Sequence, residues 1–129
     1  METQSPFNIL IVDDSAMMRA MIKRAVKLSG VEVGTIHEAG NGQEALELLD
    51  RHASEIAALF TDINMPVMTG TELLRQIAAR GWTHIVRVIV STDGSSARRE
   101  EVRDLDVRMY VEKPFAPEAI RDVLAEVCH

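Results

Sequence analysis

The sequence predicts an α/β fold, a doubly wound five-stranded parallel sheet with helices on both faces. Two observations predict it. Short apolar runs alternate with helix-period segments five times along 129 residues, the pattern of strands joined by crossover helices. Four of the runs also end on reactive polar residues. Asn8–Val12 runs into Asp13 and Asp14, Ile56–Thr61 into Asp62, Val86–Val90 into Ser91 and Thr92, and Met109–Glu112 into Lys113. In a parallel sheet these side chains emerge along one edge, where open α/β sheets bind ligands.

Residues 1–7 read as a short tail and 8–129 as one domain. Asn8–Val12 is the first expected strand. Ser15–Leu28 follows with helical spacing of Met18, Met21, Ile22, Ala25, Val26 and Leu28, and Gly30 is its stop. Val31–His37 is β-rich. Asn41-Gly42-Gln43-Glu44 has the form of a capping box, with Leu46, Leu48 and Leu49 in the helix behind it. Ile56–Thr61 is the third strand. Thr69-Gly70-Thr71-Glu72 opens a helix through Leu73, Leu74, Ile77 and Ala78, ended by Gly81. Val86–Val90 is nearly all β-branched, as expected of a strand buried on both faces. Ser96–Leu105 reads as a polar helix anchored only by Ala97, Val102 and Leu105, the least firmly packed of the five. Val107–Val111 is the last strand. Pro117 suits the first turn of a closing helix carrying Ile120, Val123, Leu124 and Val127.

Composition narrows the function. Hydrophobic residues make up 47% of the chain, enough for a core, and no apolar stretch nears the length of a membrane span. The N-terminus lacks the basic-then-apolar pattern of a signal peptide. One cysteine, Cys128, forbids an internal disulfide and fits a reducing, cytoplasmic setting. A net charge of −6 argues against nucleic acid as the main ligand. The four histidines, His37, His52, His84 and His129, show no ligand-like spacing. Met18 fits the core stripe, and packing is the expectation for Met17 as well.

The strand-end residues suit a phosphoryl and metal site. A carboxylate such as Asp62 can attack phosphorus and become an acyl phosphate. Both partners are anionic, so a divalent cation is needed between them. Magnesium takes one or two carboxylates plus phosphate oxygens and water, and Asp13 and Asp14 offer the carboxylates. Lys113 supplies a mobile point charge and Ser91 a hydroxyl donor. Each piece alone has an ordinary reading. An Asp pair after a strand caps a helix, Ser91 and Asn64 suit turns, and Lys113 suits a surface. Their force lies in falling together at successive strand ends.

These residues resemble the response-regulator receiver domain, most closely its single-domain, CheY-like chemotaxis type. The matching stretches are Ile11-Val12-Asp13-Asp14-Ser15, Glu38 through Leu46, Asp62-Ile63-Asn64-Met65-Pro66-Val67-Met68-Thr69-Gly70, Val90-Ser91-Thr92 and Lys113-Pro114-Phe115. The resemblance implies strand order 2-1-3-4-5, as in flavodoxin, and a cis Lys113–Pro114 bond. It implies Asp62 as the phosphorylated residue, Asp14 and Asp62 as direct Mg2+ ligands with Asp13 acting through water, and the Asn64 carbonyl as a further ligand. Ser91 and Tyr110 become the switch pair and Lys113 the phosphoryl-binding lysine. Asn64 and Asp93, two residues past Asp62 and Ser91, become candidates for tuning water access. The implied partners are a histidine kinase of a chemotaxis system, a flagellar motor switch or other protein target, and a phosphatase, with no nucleic acid or membrane. No output segment follows His129, so output is expected through protein binding.

The chain departs from the family pattern in places. Asp104-Leu105-Asp106-Val107 lacks the Ala and Gly usual before the last strand, Ala116 stands where a capping Ser or Thr is frequent, and Thr92 follows Ser91, which gives two candidate hydroxyls, with Ser91 preferred because it keeps the family spacing to Lys113. Arg98, Arg99, Arg103 and Arg108, interleaved with Glu100, Glu101 and Asp104, fit a solvated salt-bridged surface or a partner-facing one. On the switch reading, Ser91 turns toward the phosphoryl group and Tyr110 moves into the vacated space. A near-complete shift of that kind needs about 5.5 kcal/mol of differential stabilisation.

Other functions fit less well. A haloacid-dehalogenase-like phosphatase wants an acid two residues after its nucleophile, where this chain has Asn64. A flavin carrier wants a phosphate loop after the first strand, where Asp13 and Asp14 repel phosphate. Intact Asp62 and Lys113 argue against a non-phosphorylated adaptor. A non-chemotactic phosphorelay or adaptor receiver is the alternative that remains.

Overall fold

A computed structural model describes residues 7–127. Five parallel strands, β1 (Phe7–Val12), β2 (Val33–Ala39), β3 (Ile56–Thr61), β4 (Val86–Ser91) and β5 (Val107–Glu112), form one sheet in the order β2-β1-β3-β4-β5. The helices are α1 (Ala16–Leu28), α2 (Gly42–His52), α3 (Gly70–Ala79), α4 (Ser96–Glu101) and α5 (Pro117–Val127). Most of the expected tail lies outside the described residues; its last member, Phe7, opens β1. Cys128 and His129 also lie outside them.

The alternation of side chains along each strand divides the core in two. Leu10, Val12, Leu59 and Ile89 face α2 and α3, together with Leu46, Leu49, Leu73, Leu74 and Ile77. Ile9, Ile11, Ala58, Phe60, Val88 and Val90 face the other way, onto Ile22, Ala25, Val26, Ile120, Val123 and Leu124 of α1 and α5. The inner strands are therefore apolar on both sides, which is why they read as continuous runs.

Local signals set the helix ends. Ser15, Asn41, Thr69 and Ser95 each accept a backbone N–H three residues on, at the starts of α1, α2, α3 and α4. The two expected capping boxes close differently. Glu44 reaches back to the Gly40 N–H, one residue before the cap. Glu72 turns forward to Arg75 and Gln76, so only the Thr69 half forms. Gly30 and Gly81 follow α1 and α3 with φ of 79° and 70°.

Several expectations need correction. The second strand lies two residues later than Val31–His37, at Val33–Ala39. The helix expected over Ser96–Leu105 breaks. α4 ends at Glu101, a 3-10 turn covers Arg103–Leu105, and Asp106 adopts a left-handed conformation with φ 58°. Aspartate tolerates that region, so Asp106 makes the turn without a glycine. Ala97 is exposed rather than an anchor. Val102 is buried and Leu105 half-buried, and α4 has no buried residue of its own. Met17, Met21 and Leu28 are 75%, 46% and 64% exposed, so Met17 does not pack and the inner stripe of α1 is Met18, Ile22, Ala25 and Val26.

One core residue is unexpected. Arg87, inside the apolar run of β4, is buried and gives its guanidinium to the Leu105 and Trp82 carbonyls. It lies toward the start of β4, at the opposite end from the strand-end residues, and ties the 3-10 turn to the sheet.

Candidate phosphoacceptor and metal site

The strand-end residues meet because the sheet's last rungs hold their backbones. The Asp13 N–H bonds the Ala39 carbonyl of β2, the Asp62 N–H the Val12 carbonyl of β1, and the Lys113 N–H the Ser91 carbonyl of β4. Each functional side chain is thus the first beyond a hydrogen-bonded ladder, and its Cα inherits the rigidity of the core. The Lys113–Pro114 peptide bond is cis, as expected.

Lys113 is the hub. Its Nζ lies 2.9 Å from Asp13 Oδ2 and 3.0 Å from Asp62 Oδ2. The three side chains are 9%, 1% and 12% exposed, so the contacts are poorly screened. Burial alone would lower the Lys113 pKa, but the hydrogen bonds to Asp13 and Asp62 outweigh it and hold the ammonium above its ordinary value. Each carboxylate is tied at its second oxygen too. Asp13 Oδ1 accepts the Ser15 N–H at 2.9 Å, and Asp62 Oδ1 accepts the Ile63 N–H at 2.6 Å. Ser15, not the Asp pair, caps α1. That removes the ordinary explanation for Asp13 and Asp14.

Asp13, Asp14 and Asp62 each place an oxygen within 4.8 Å of the others, and among the described residues no other group of three His, Cys, Asp or Glu side chains comes as close. Carboxylate oxygens are the ligands that magnesium prefers, so these three residues could hold such an ion between them. Asp13 and Asp62 each have both oxygens engaged, whereas Asp14 is exposed, so its carboxylate is the most accessible of the three to a cation. Among the described residues, His37, His52 and His84 join no such group. His37 and His52 stack with ring centroids 5.0 Å apart, and His84 Nε2 meets the Ala53 carbonyl at 2.7 Å. Burial first, and then the His52 charge, holds the His37 pKa below its ordinary value.

At the β4 and β5 ends, Ser91 is fully buried and Thr92 exposed, which separates the two candidate hydroxyls. Ser91 Oγ accepts the Asp93 N–H at 3.1 Å. Tyr110 is half-buried against the α2–α3 core, and its hydroxyl donates to the Asp93 carbonyl rather than to water. Burial, and then the Asp93 charge, push its phenol pKa up, while the Ser91 hydroxyl and Arg99 oppose them. Arg99 covers the ring face at 4.4 Å and pairs with Glu112 at 3.0 Å.

Sequence reading passed over Arg19 and placed Arg98 only on a charged surface, without the contacts that either makes near the site. Arg19 Nη1 bonds the Asp13 carbonyl at 2.5 Å while its Nε pairs with Glu38 at 3.0 Å, so α1 is tied to the back of the Asp13 backbone. Arg98 of α4 reaches both Asp93 and Asn64. Neither signals itself by spacing, because both partners are far away in sequence or lie in loops. In the loop after β3, the Met68 N–H bonds the Pro66 carbonyl at 2.7 Å around Val67, whose φ is 70°. This three-residue turn is a strained conformation for a β-branched residue.

Residues 9–125 match the family model for the response regulator receiver domain. The chain is 35% identical to chemotaxis protein CheY1 of Helicobacter pylori over 120 residues, covering 92% of this chain and 94% of that one. It is 36% identical to chemotaxis protein CheY of Listeria monocytogenes over 116 residues, covering 90% and 93%. Among solved structures it resembles chemotaxis protein CheY4 of Vibrio cholerae, with a TM-score of 0.81 and 27% identity over 95% of this chain and 99% of that one. The family match, spanning nearly the whole sheet and all four strand-end motifs, makes this chain a member of the response-regulator receiver-domain family.

Proposed function

We propose that this receiver domain, residues 8–129, is a phosphorylation-dependent signalling switch of a cytoplasmic chemotaxis pathway. The observation that carries the reading is the Lys113 ammonium shared by Asp13 and Asp62, with Asp14 in the same acidic cluster. One cation among three carboxylates leaves the cluster with excess negative charge, a setting suited to Mg2+ and to a group that brings its own oxygens.

In this reading an Asp62 carboxylate oxygen attacks the phosphorus of a phosphohistidine on the donor kinase. The P–N bond breaks, and its electron pair returns to the imidazole nitrogen, which takes up a proton. Asp14, Asp62 and the Asn64 carbonyl, with Asp13 through water, would hold Mg2+, whose chemistry there would be to neutralise charge on the transferring group. Lys113 exchanges its bond to Asp62 Oδ2 for a phosphoryl oxygen while keeping Asp13. Ser91 Oγ releases the Asp93 amide and donates to a second phosphoryl oxygen. Tyr110, tied to the Asp93 carbonyl, follows the β4–α4 loop as it moves. The altered edge then selects a flagellar motor or other protein target. Hydrolysis of the acyl phosphate, alone or with a phosphatase, resets the switch. The chain promotes its own phosphorylation and dephosphorylation without acting as a turnover enzyme.

The test is intact-mass measurement after incubation with acetyl phosphate and Mg2+. One added phosphoryl group is expected in wild type, and none in Asp62→Asn or with excess chelator. An unmodified wild type would overturn the reading. Tyr110→Ala is expected to reduce the dependence of partner binding on phosphorylation, and unchanged dependence would remove Tyr110 from the switch.

A further inference from the structure

We propose that Arg98 is a positioning residue that lengthens the life of the phosphoryl group by strapping together the two loops bordering the site. The inference rests on Asp62 being the phosphoacceptor. Asn64 lies two residues past Asp62 in the β3–α3 loop, and Asp93 two residues past Ser91 in the β4–α4 loop. A single guanidinium from α4 reaches both. Arg98 Nε donates to Asp93 Oδ2 at 3.0 Å, and Nη2 to Asn64 Oδ1 at 3.5 Å, the weakest of its contacts. Nη1 donates to Glu101 Oε1 at 3.0 Å, which steadies the side chain along its own helix.

Arg98 differs from its neighbours in this respect. Arg103 pairs only with Glu100, three residues back on the same segment. Arg99 turns away, to the Gly94 carbonyl and Glu112. Among the described residues, only Arg98 links a residue of the β3–α3 loop to one of the β4–α4 loop, and its Asn64 partner lies 34 positions away in sequence. The remaining Asp93 oxygen takes the Ser95 N–H at 3.1 Å, so the carboxylate is held from two sides. Arg98 and Asn64 line a cleft of about 230 Å3 together with Thr69, Arg75 and Glu101.

Hydrolysis of an acyl phosphate needs a water in line with the P–O bond to Asp62, on the solvent side of the phosphorus. The side chains two residues beyond the acceptor and beyond the switch hydroxyl border that approach. A planar fork held in place fixes both of them at once. Without it, the Asn64 carboxamide and the Asp93 carboxylate swing independently, and water enters more often.

Wild type, Arg98→Ala, Arg98→Lys and Arg103→Ala are loaded with acetyl phosphate and Mg2+, freed of donor and followed by intact mass as the label decays. Arg98→Ala is expected to lose its label about three to ten times faster than wild type, the loss of a half-exposed charge-assisted contact. Arg98→Lys keeps one charged donor without the fork and falls between them. Arg103→Ala stays within about twofold of wild type, as an ordinary exposed pair does. Adding Arg98→Ala to Asp93→Ala is expected to give much less than the product of the two single effects, because both remove the same strap. Label in wild type with unchanged decay in Arg98→Ala, or full additivity with Asp93→Ala, overturns this inference alone. No label in wild type overturns the phosphoacceptor reading and this inference with it.

Discussion

The acceptor and the responding edge are built from different materials. Asp13 and Asp62 stand at the ends of β1 and β3, inner strands whose Ile9 to Val12 and Ala58 to Phe60 are fully buried. Ser91 also ends an inner, buried strand, but the loop beyond it leads into α4, a helix with no buried residue, and Tyr110 stands on the edge strand β5. The acceptor pair rests on packing. Tyr110 and the β4–α4 loop are held largely by polar ties, namely Tyr110 to the Asp93 carbonyl, Arg99 to Glu112, and Arg98 to Asp93. Chemistry at phosphorus needs groups fixed to fractions of an ångström, whereas a switch needs an element that can change arrangement at low cost. The fold supplies both along a single strand edge.

The largest effect is expected where a close backbone contact meets the acceptor. A Cβ added at Gly70 would lie 1.9 Å from the Asp62 carbonyl oxygen, which cannot swing aside. Gly70→Ala is expected to cost about 3 kcal/mol or more of stability and to displace Asp62. Urea unfolding measures the first, and phosphoryl uptake the second. Full uptake at wild-type stability would show the acceptor frame to be softer than described.

Next comes Lys113→Ala. It leaves Asp13 and Asp62 buried without their cation, for a loss of about 3 kcal/mol in metal-free buffer. Mg2+ is expected to restore part of that loss, because binding to the folded state alone stabilises it. A variant indifferent to Mg2+ in thermal melts would count against the carboxylates as its ligands.

At the responding edge the same glycine substitution is expected to be mild. A Cβ at Gly94 would lie 2.3 Å from the Glu112 carboxylate carbon, the far end of a flexible side chain. Gly94→Ala is expected to cost less than about 1 kcal/mol as Glu112 turns away and the Arg99–Glu112 pair loosens. A loss as large as that of Gly70→Ala would erase the contrast between the two regions.

The smallest effect tests the tie between α1 and β2. The hydrogen bond from Lys23, opposed by partial burial and aided by Arg19, holds the Glu38 carboxyl below its ordinary value of 4.5. A depressed carboxyl pKa means that the stabilisation is fully present above 4.5 and is lost as pH falls through the folded value. Glu38→Gln is therefore expected to cost about 0.5 kcal/mol near neutrality and nothing at strongly acid pH. Denaturant midpoints across pH check this, and a difference that grows toward acid would reverse the sign.

Much of this was readable one residue at a time. Ile56–Thr61 is a strand with the expected ends, and Thr69 and Asn41 cap the helices that their spacing announces. Strands of β-branched and aliphatic residues buried on both faces leave little freedom in what they can become. The misplaced features are those where local pattern and global packing disagree. Ser96–Leu105 has the composition of one helix, but Val102 must reach the core, and the segment breaks to deliver it. Arg87 looks like an interruption in β4 until the Leu105 and Trp82 carbonyls arrive from elsewhere in the chain.

By itself, the sequence determined the layered α/β architecture, the strand edge on which the reactive residues fall and the chemical types gathered there. Periodicity, caps and strand-end polarity are local properties, and parallel crossover connections leave few ways to assemble them. Only the tertiary structure decided which groups touch: Lys113 between Asp13 and Asp62, Ser91 rather than Thr92 turned inward, the Tyr110 hydroxyl on the Asp93 carbonyl, and Arg98 across two loops. Those contacts join residues as far as 100 positions apart. Their geometry depends on register and side-chain direction, which no stretch of sequence encodes alone.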